Sequence, residues 1–370
     1  MVLASDYRSV SLSLLDSEGM LSRDDCINSG TRAPALSQAL SGDVALPSNP
    51  QAGHEVLLID RGNAALTWVD PRTCQPLRQL AVGTGFAANP HDVVSLGANK
   101  AYVTRYERNN APTPALEDFD EGNDLLIIDP SVPKILGRID LLGTSPDPSV
   151  LPRADQALLA EGRVYVSLNA LSPSFQSGSM GRVVIIDPGS DTVVGYVDIP
   201  GKKNCSTMTY LASTKTLWVS CAGVFSDGAQ QANYSGLVAI DLGASPPAIK
   251  GVVDASAFGG RILLGKSAIF SEQEIFAITA GDFSGSPPDQ FWTLGLSSSQ
   301  ATRLFEASES FVLGASLADL QRKRIFLTDG TASAPRIHIY DASTPGTVRE
   351  VSSFNPGPSL GLPARDISRY

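Results

Sequence analysis

The sequence predicts an all-β fold, a single seven-bladed β-propeller of four-stranded blades spanning residues 1–370 and closed by a C-terminal strand that joins the N-terminal blade. Three observations carry this. An apolar run ending in Asp, often followed by Pro, recurs along the chain. Each recurrence sits third in the same order of four short β-rich runs separated by turn residues. The two chain ends carry complementary parts of one such unit.

The recurring run is Leu14-Leu15-Asp16, Trp68-Val69-Asp70-Pro71, Ile127-Ile128-Asp129-Pro130, Ile185-Ile186-Asp187-Pro188, Ala239-Ile240-Asp241 and Ile339-Tyr340-Asp341. Successive aspartates are 54, 59, 58, 54 and 100 residues apart, so the last gap holds a unit that has lost its Asp. Phe291-Trp292-Thr293-Leu294-Gly295 occupies that gap and makes the seventh unit. Asp at this position can accept a hydrogen bond from the backbone two residues on, and Pro presets φ for a tight turn. The row is therefore a turn signature rather than a row of catalytic carboxylates.

A well-marked unit runs His91–Leu96, a turn at Gly97-Ala98-Asn99, Lys100–Tyr106, a polar insert, Leu125–Pro130 and Lys134–Leu141. At the N-terminus, residues 2–8, 9–16 and about 20–27 align with the second, third and fourth strands. The missing first strand is supplied by residues 362–370, where Pro363 precedes Asp366-Ile367 much as Pro90 precedes Asp92-Val93. Ring closure of this kind removes two open sheet edges.

Composition supports the same picture. Hydrophobic residues are 42% of the chain and charged residues 18%, enough to build a core and too few charges for wholesale disorder. The 33 Gly and 25 Pro punctuate the chain with turns and disfavour long helices. A formal charge of −10 argues against a nucleic-acid surface. No apolar run reaches the ~18 residues that a membrane helix needs. Met1 leads into Val2–Tyr7 without the basic start and apolar core of a secretory leader. Val2 already falls in a strand, so further chain upstream is expected.

Four cysteines are too few for a disulfide scaffold. Cys205 opens one strand and Cys221 closes the next, with Ala212–Thr216 as the turn, so the two come nearly opposite each other. A disulfide, which would fit an exported protein, and two buried thiols remain equal readings. Cys26 and Cys74 have no geometric argument for pairing.

Lys100-Ala101-Tyr102-Val103-Thr104-Arg105-Tyr106, following Asn89-Pro90-His91-Asp92, resembles the YVTN-type β-propeller repeat. Arg163–Asn169 and Thr216–Ser220 resemble weaker copies. The resemblance runs through nearly the whole chain and implies a propeller similar to bacterial exported, surface and periplasmic proteins, with lactonase-like enzymes among the relatives. The family's Ser-Pro-Asp-Gly turn is replaced here by Leu96-Gly97-Ala98-Asn99 and Ala160-Glu161-Gly162. No lactonase residue set carries over.

Function is expected on one face. The loops joining second and third strands, roughly 107–123, 169–182, 222–236, 281–290 and 330–335, are the long ones, whereas the turns between first and second strands are tight. Loops on a rigid scaffold are where binding groups gather. Arg105, Tyr106 and Arg108 lead into the longest insert and could clamp an anion. In the insert, Asp118, Asp120, Asn123 and Asp124 offer oxygens around Gly122, as Ca²⁺ loops do, but the EF-hand spacing is absent and a solvated acidic loop is the plainer reading. His91, with Asp92 on the opposite strand face, reads best as a structural group bonded to an inter-blade connector. His338, between Ile337 and Ile339, is expected on a blade surface. No nucleophile elbow and no phosphate loop occur.

The leading expectation is an exported, monomeric, non-catalytic binding or scaffold propeller that presents its loop face to a protein or glycan, needs no cofactor, and has Ca²⁺ as its one candidate ion. The alternative is a metal-assisted hydrolase or lactonase at the channel mouth that uses His91, Asp92 and Arg105 with the acidic insert. An intracellular interaction hub would require Cys205 and Cys221 to stay reduced.

Overall fold

The computed structural model describes residues 1–370 except 17, 114, 297–299 and 345. The described residues form seven antiparallel four-stranded sheets arranged as the blades of a β-propeller. Numbered along the chain, the blades have innermost strands Ala364–Ile367, Val44–Ala45, Pro90–Gly97, Ala154–Ala160, Cys205–Leu211, Ala268–Ser271 and Leu313–Asp319.

Blade 1 is shared by the chain ends. The C-terminal strand pairs with Val2–Ser5, matching Val2 with Ile367 and Leu3 with Asp366. Blade 6 is the unit without its Asp, and its third strand is Gln290–Gly295. Elsewhere the Asp makes the expected turn. Its Oδ1 accepts from the N–H two residues on at Asp16, Asp70, Asp129, Asp241 and Asp341, at 2.8–2.9 Å.

The second and third strands read as unbroken apolar runs because neighbouring blades cover both their faces. Val56–Asp60 and Thr216–Ala222 are buried throughout. The fourth strand borders solvent, and Ala248–Asp254 alternates exposed and half-buried. The core is therefore distributed between blades. One cluster joins Leu158, Val183 and Ile199 of blade 4 to Met208, Leu217 and Val238 of blade 5.

Polar side chains tie each innermost strand to the next. Asp366 Oδ2 accepts from Leu46 N at 3.1 Å, and Asp92 Oδ2 accepts from Ala157 N at 3.1 Å. Gln156 bonds both Met208 N and Met208 O. Second-strand hydroxyls add to the ring, as where Thr104 Oγ1 donates to Asp155 O at 2.8 Å.

Two disulfides are present, and no free cysteine occurs. Cys205–Cys221 crosses a strand pair within blade 5. Cys26–Cys74, for which the sequence offered no argument, staples the outer strand of blade 1 to a turn of blade 2, across 48 residues of sequence. Such a pair is invisible to strand-register reasoning because it joins different blades. Loop closure gives about 4 kcal/mol for this bridge and about 3 for the 16-residue one.

His338 is not on a blade surface. It is 5% exposed, held between Asp329 and Glu350 and packed on the Phe305 ring of blade 6 at 4.3 Å. Both faces of a third strand are covered in this fold, so alternation with Ile337 and Ile339 turns His338 into a blade interface. Burial alone would lower the imidazole, but Asp329 and Glu350 outweigh it and hold it above its ordinary value. The stabilisation is complete below the unfolded value near 6.5 and is lost as pH rises through the folded one. Urea midpoints at pH 6 and 9 are expected to fall more steeply for wild type than for His338→Gln, and parallel falls would remove His338 as the cause.

Candidate functional site

In an up-and-down four-stranded blade, the loops between second and third strands emerge at the same end as the blade-to-blade connectors. The long loops 109–121, 169–179, 223–234 and 280–289 therefore share one face with the connectors around the channel mouth. Blade 1 has only a tight turn there, residues 6–9, and blade 2 departs further from the pattern. Its second-to-third turn, 61–64, is tight, and its first-to-second connection, 46–55, is long and lies at the opposite end.

Three phenylalanines from successive segments meet on the loop face. Phe225 comes from the blade 5 loop, Phe283 from the blade 6 loop and Phe311 from the connector between blades 6 and 7. Ring centroids are 5.5 Å apart for Phe225–Phe283, 4.9 Å for Phe283–Phe311 and 6.4 Å for Phe225–Phe311. Phe283 is 82% exposed and Phe225 49%. Rings this exposed are normally scattered, and three in contact form a patch. Two of the three segments are tied together beneath the rings: buried Asp289 accepts from the N–H groups of Gly281, Phe311, Val312 and Leu313 at 2.7–2.9 Å, which joins the Phe283 loop to the Phe311 connector. A cavity of about 320 Å³ opens between the rings, with Arg261 and Ile262 in its lining.

Of the sequence-selected residues, the structure brings His91 and Tyr106 into contact but does not gather the set into one site. His91 stacks on Tyr106 at 4.1 Å and contacts the Asp155 carboxylate of the next innermost strand at 3.2 Å, so its partner is a side chain of that strand and not a connector. Arg153 lies over Tyr106 and over Phe175, 3.8 Å from the latter ring, and pairs with Glu107 at 2.8 Å. Tyr106 is buried, and burial pushes its phenol up. Asp92 points away from His91 and accepts from Ser48, Val93 and Ala157 N–H. Burial pushes its carboxyl up to about 6 against those three bonds.

Arg105 does not reach the face. Its guanidinium is fully buried, with Nε and Nη2 on the two Asp124 oxygens at 2.7 and 2.6 Å and Nη1 on Thr84 Oγ1 at 2.6 Å. Arg108 is exposed. Within the acidic insert, Asp118 is exposed and Asp124 is committed to Arg105 and Arg138. Asp120 Oδ2 accepts from Thr113 N, whereas Asp120 Oδ1 and Asn123 Oδ1 are buried without a hydrogen-bond partner. Those two oxygens are what the insert could offer a cation. No group of three or more His, Cys, Asp or Glu side chains placed to hold a metal occurs among the described residues.

The channel mouth on the loop side is lined by Arg61, Thr207, Lys266 and Arg365. Lys266 Nζ donates to Asp366 at 3.1 Å. No helix among the described residues is long and apolar enough to cross a membrane.

The phenylalanine patch was missed at the sequence level. Its rings are single residues in three Gly/Ser/Pro-rich segments, and nothing in their spacing marks them as neighbours. The signal available was one large apolar residue in each of several otherwise polar loops of one face.

No family model matches the sequence, and no curated protein matches it. Solved structures share the fold. A hypothetical selenium-binding protein from Sulfolobus tokodaii superposes with a TM-score of 0.63 at 8% identity, covering 99% of this chain and 92% of that one. A candidate 6-phosphogluconolactonase from Bacteroides fragilis gives 0.59 at 9% identity, with 96% and 94% covered. Hydrazine synthase of Kuenenia stuttgartiensis gives 0.56 at 13% identity, with 80% and 76% covered. At these identities the likeness is one of fold, which hosts many activities.

Proposed function

We propose that this chain is an exported, non-catalytic binding propeller that presents its loop-rich face to a protein or glycan partner. The observation that carries the reading is the contiguous Phe225–Phe283–Phe311 patch, with Phe225 and Phe283 exposed, at the one face where the long loops gather. Two disulfides are compatible with an oxidising compartment. The resemblance to YVTN-type repeats adds the expectation of a bacterial surface or periplasmic setting. The residues that an enzymatic reading would use are spent on structure: Arg105 on Asp124, Asp92 on backbone N–H groups, and His91 in a stack with Tyr106.

The test compares wild type with Phe225→Ala/Phe283→Ala on a glycan array and in cross-linked capture from a cell-envelope extract. Both rings are solvent-exposed, so folding should be unchanged. A ligand held by wild type and weakened about tenfold or more in the double variant is expected. Equal retention by both proteins would reject the patch as the binding surface. Turnover of a lactone panel that is lost in His91→Gln would move the reading to the hydrolase alternative.

A further inference from the structure

Seven of the nine arginines that are buried or half-buried pair with a carboxylate, as Arg61, Arg78, Arg105, Arg138, Arg153, Arg182 and Arg324 do. The remaining two, Arg261 and Arg365, have no ion pair within 4 Å among the described residues. Both sit on the loop face, one on each side of Phe311. Arg261 lines the cavity that Phe311 shares with Phe225 and Phe283, and Arg365 lines the channel mouth on its other flank.

Their bonding leaves part of each guanidinium unused. Arg261 donates through Nε to Thr279 Oγ1 at 3.2 Å and through Nη2 to the carbonyls of Ala280 and Pro288, which leaves Nη1 unbonded. Arg365 donates through Nε to Ser5 O and through Nη1 to Phe311 O, both at 3.2 Å, and lies over the Tyr7 ring, which leaves Nη2 unbonded. Three carboxylates, those of Asp289, Glu306 and Asp282, lie near enough to act on Arg261 through space, but none contacts it. Asp289 is occupied by four backbone N–H groups, Glu306 by Gln290 and Arg303, and Asp282 by Ser284 and Ser286. A half-buried guanidinium held by neutral oxygens, with a spare N–H group and no contacting carboxylate, has the capacity to take an anion.

We propose that the Phe225–Phe283–Phe311 cavity with Arg261, flanked by Arg365, binds an acidic-aromatic segment of a partner protein, apolar side chain between the rings and carboxylate on the arginines. The proposal rests on the loop-face binding reading and narrows its ligand. A peptide is favoured over an acidic glycan by the lining. Gln231 is committed to Ala222 O and Asp282 to its own turn, so a sugar's hydroxyls would find few partners among three phenylalanines, an isoleucine and a proline. The net charge of −10 makes this local positive pair a selective feature rather than part of a general basic surface.

The probes are acetyl-Phe-Glu-Phe-Asp-amide, its Gln/Asn counterpart and an oligoglucuronate, titrated into the full chain by calorimetry at low and moderate salt. The acidic peptide is expected to bind at least about tenfold tighter than the neutral one, with the advantage shrinking as salt rises. Arg261→Gln and Arg365→Gln should each erase that preference, Arg261→Lys should keep part of it, and Phe283→Ala should weaken both peptides. Near-ultraviolet circular dichroism checks each variant's fold, and Phe283→Ala, at an exposed ring, carries little folding risk. Equal binding of the two peptides, or a preference that survives Arg261→Gln, overturns the proposal. Binding of oligoglucuronate alone overturns it in favour of an acidic sugar. Binding of no probe also overturns it, and the loop-face reading is then judged separately by the capture lost or kept in Phe225→Ala/Phe283→Ala.

Discussion

Removal of residues 362–370 is expected to unfold the ring rather than trim its end. The segment is the innermost strand of blade 1, and Ala364 and Ile367 are buried against Val2, Phe326, Ile337 and Ile339. It also closes the circle in both directions. Asp366 accepts from Leu46 N of the next blade and from Lys266 Nζ of the connector leading into blade 6, and Ser368 Oγ donates to Pro47 O at 2.6 Å. On the blade 7 side, Arg365 Nη1 donates to Phe311 O and Thr328 Oγ1 approaches Arg365 O. Truncation opens a sheet edge, uncovers an inter-blade core and strands these polar partners. The loss should exceed about 5 kcal/mol, a large part of an ordinary domain's net stability. Thermal melting should fall by roughly 10 °C or more, or the chain should fail to fold. A melting temperature within about 2 °C of wild type would show that blade 1 does not close the ring.

Breaking the Arg105–Asp124 pair should cost nearly as much from a single side chain. Both groups are fully buried and doubly hydrogen-bonded, with Phe86 beneath the guanidinium at 5.0 Å and Phe119 O on Nη2 at 2.5 Å. Asp124→Leu leaves a buried cation with neutral acceptors, and Arg105→Met leaves a buried carboxylate with only the more distant Arg138 at 3.3 Å. Each single change should cost about 3–5 kcal/mol in urea unfolding, because desolvation is no longer repaid. The double variant should recover much of that loss, since two apolar side chains owe no desolvation. Single variants that lose less than about 1 kcal/mol, or a double variant whose losses simply add, would mean that water reaches the pair. The residue the sequence offered as an anion clamp is thus a structural cation, and its burial is what disqualifies it.

The difference between Arg105 and Arg261 shows where sequence reading stops. Both are arginines near loops of the same face, and nothing local separates them. Tyr106 and Arg108 beside Arg105 mark it as a candidate in the sequence, whereas nothing around Arg261, in Gly259-Gly260-Arg261-Ile262, marks it. Only the packing shows that Arg105 contacts a carboxylate and that Arg261, among the described residues, contacts none. The same holds for the cysteines: Cys205 and Cys221 share a hairpin, so register brings them together, whereas Cys26 and Cys74 meet only because blades 1 and 2 are neighbours.

The repeat was readable because it is local. A blade is an antiparallel meander, so strand order, the Asp turn and the apolar second and third strands are all written within some fifty residues, and the ends could be matched as parts of one unit. The sequence by itself therefore determined seven blades, their closure and the face that carries the long loops. Tertiary structure alone decided which loop residues touch, because contacts on that face join successive blades through segments with no shared pattern. It brought Phe225, Phe283 and Phe311 into one patch, left Arg261 and Arg365 beside it with no contacting carboxylate among the described residues, and buried Arg105 and His338. Periodicity records which way a side chain leaves its own strand, and the neighbouring blade decides what it meets there.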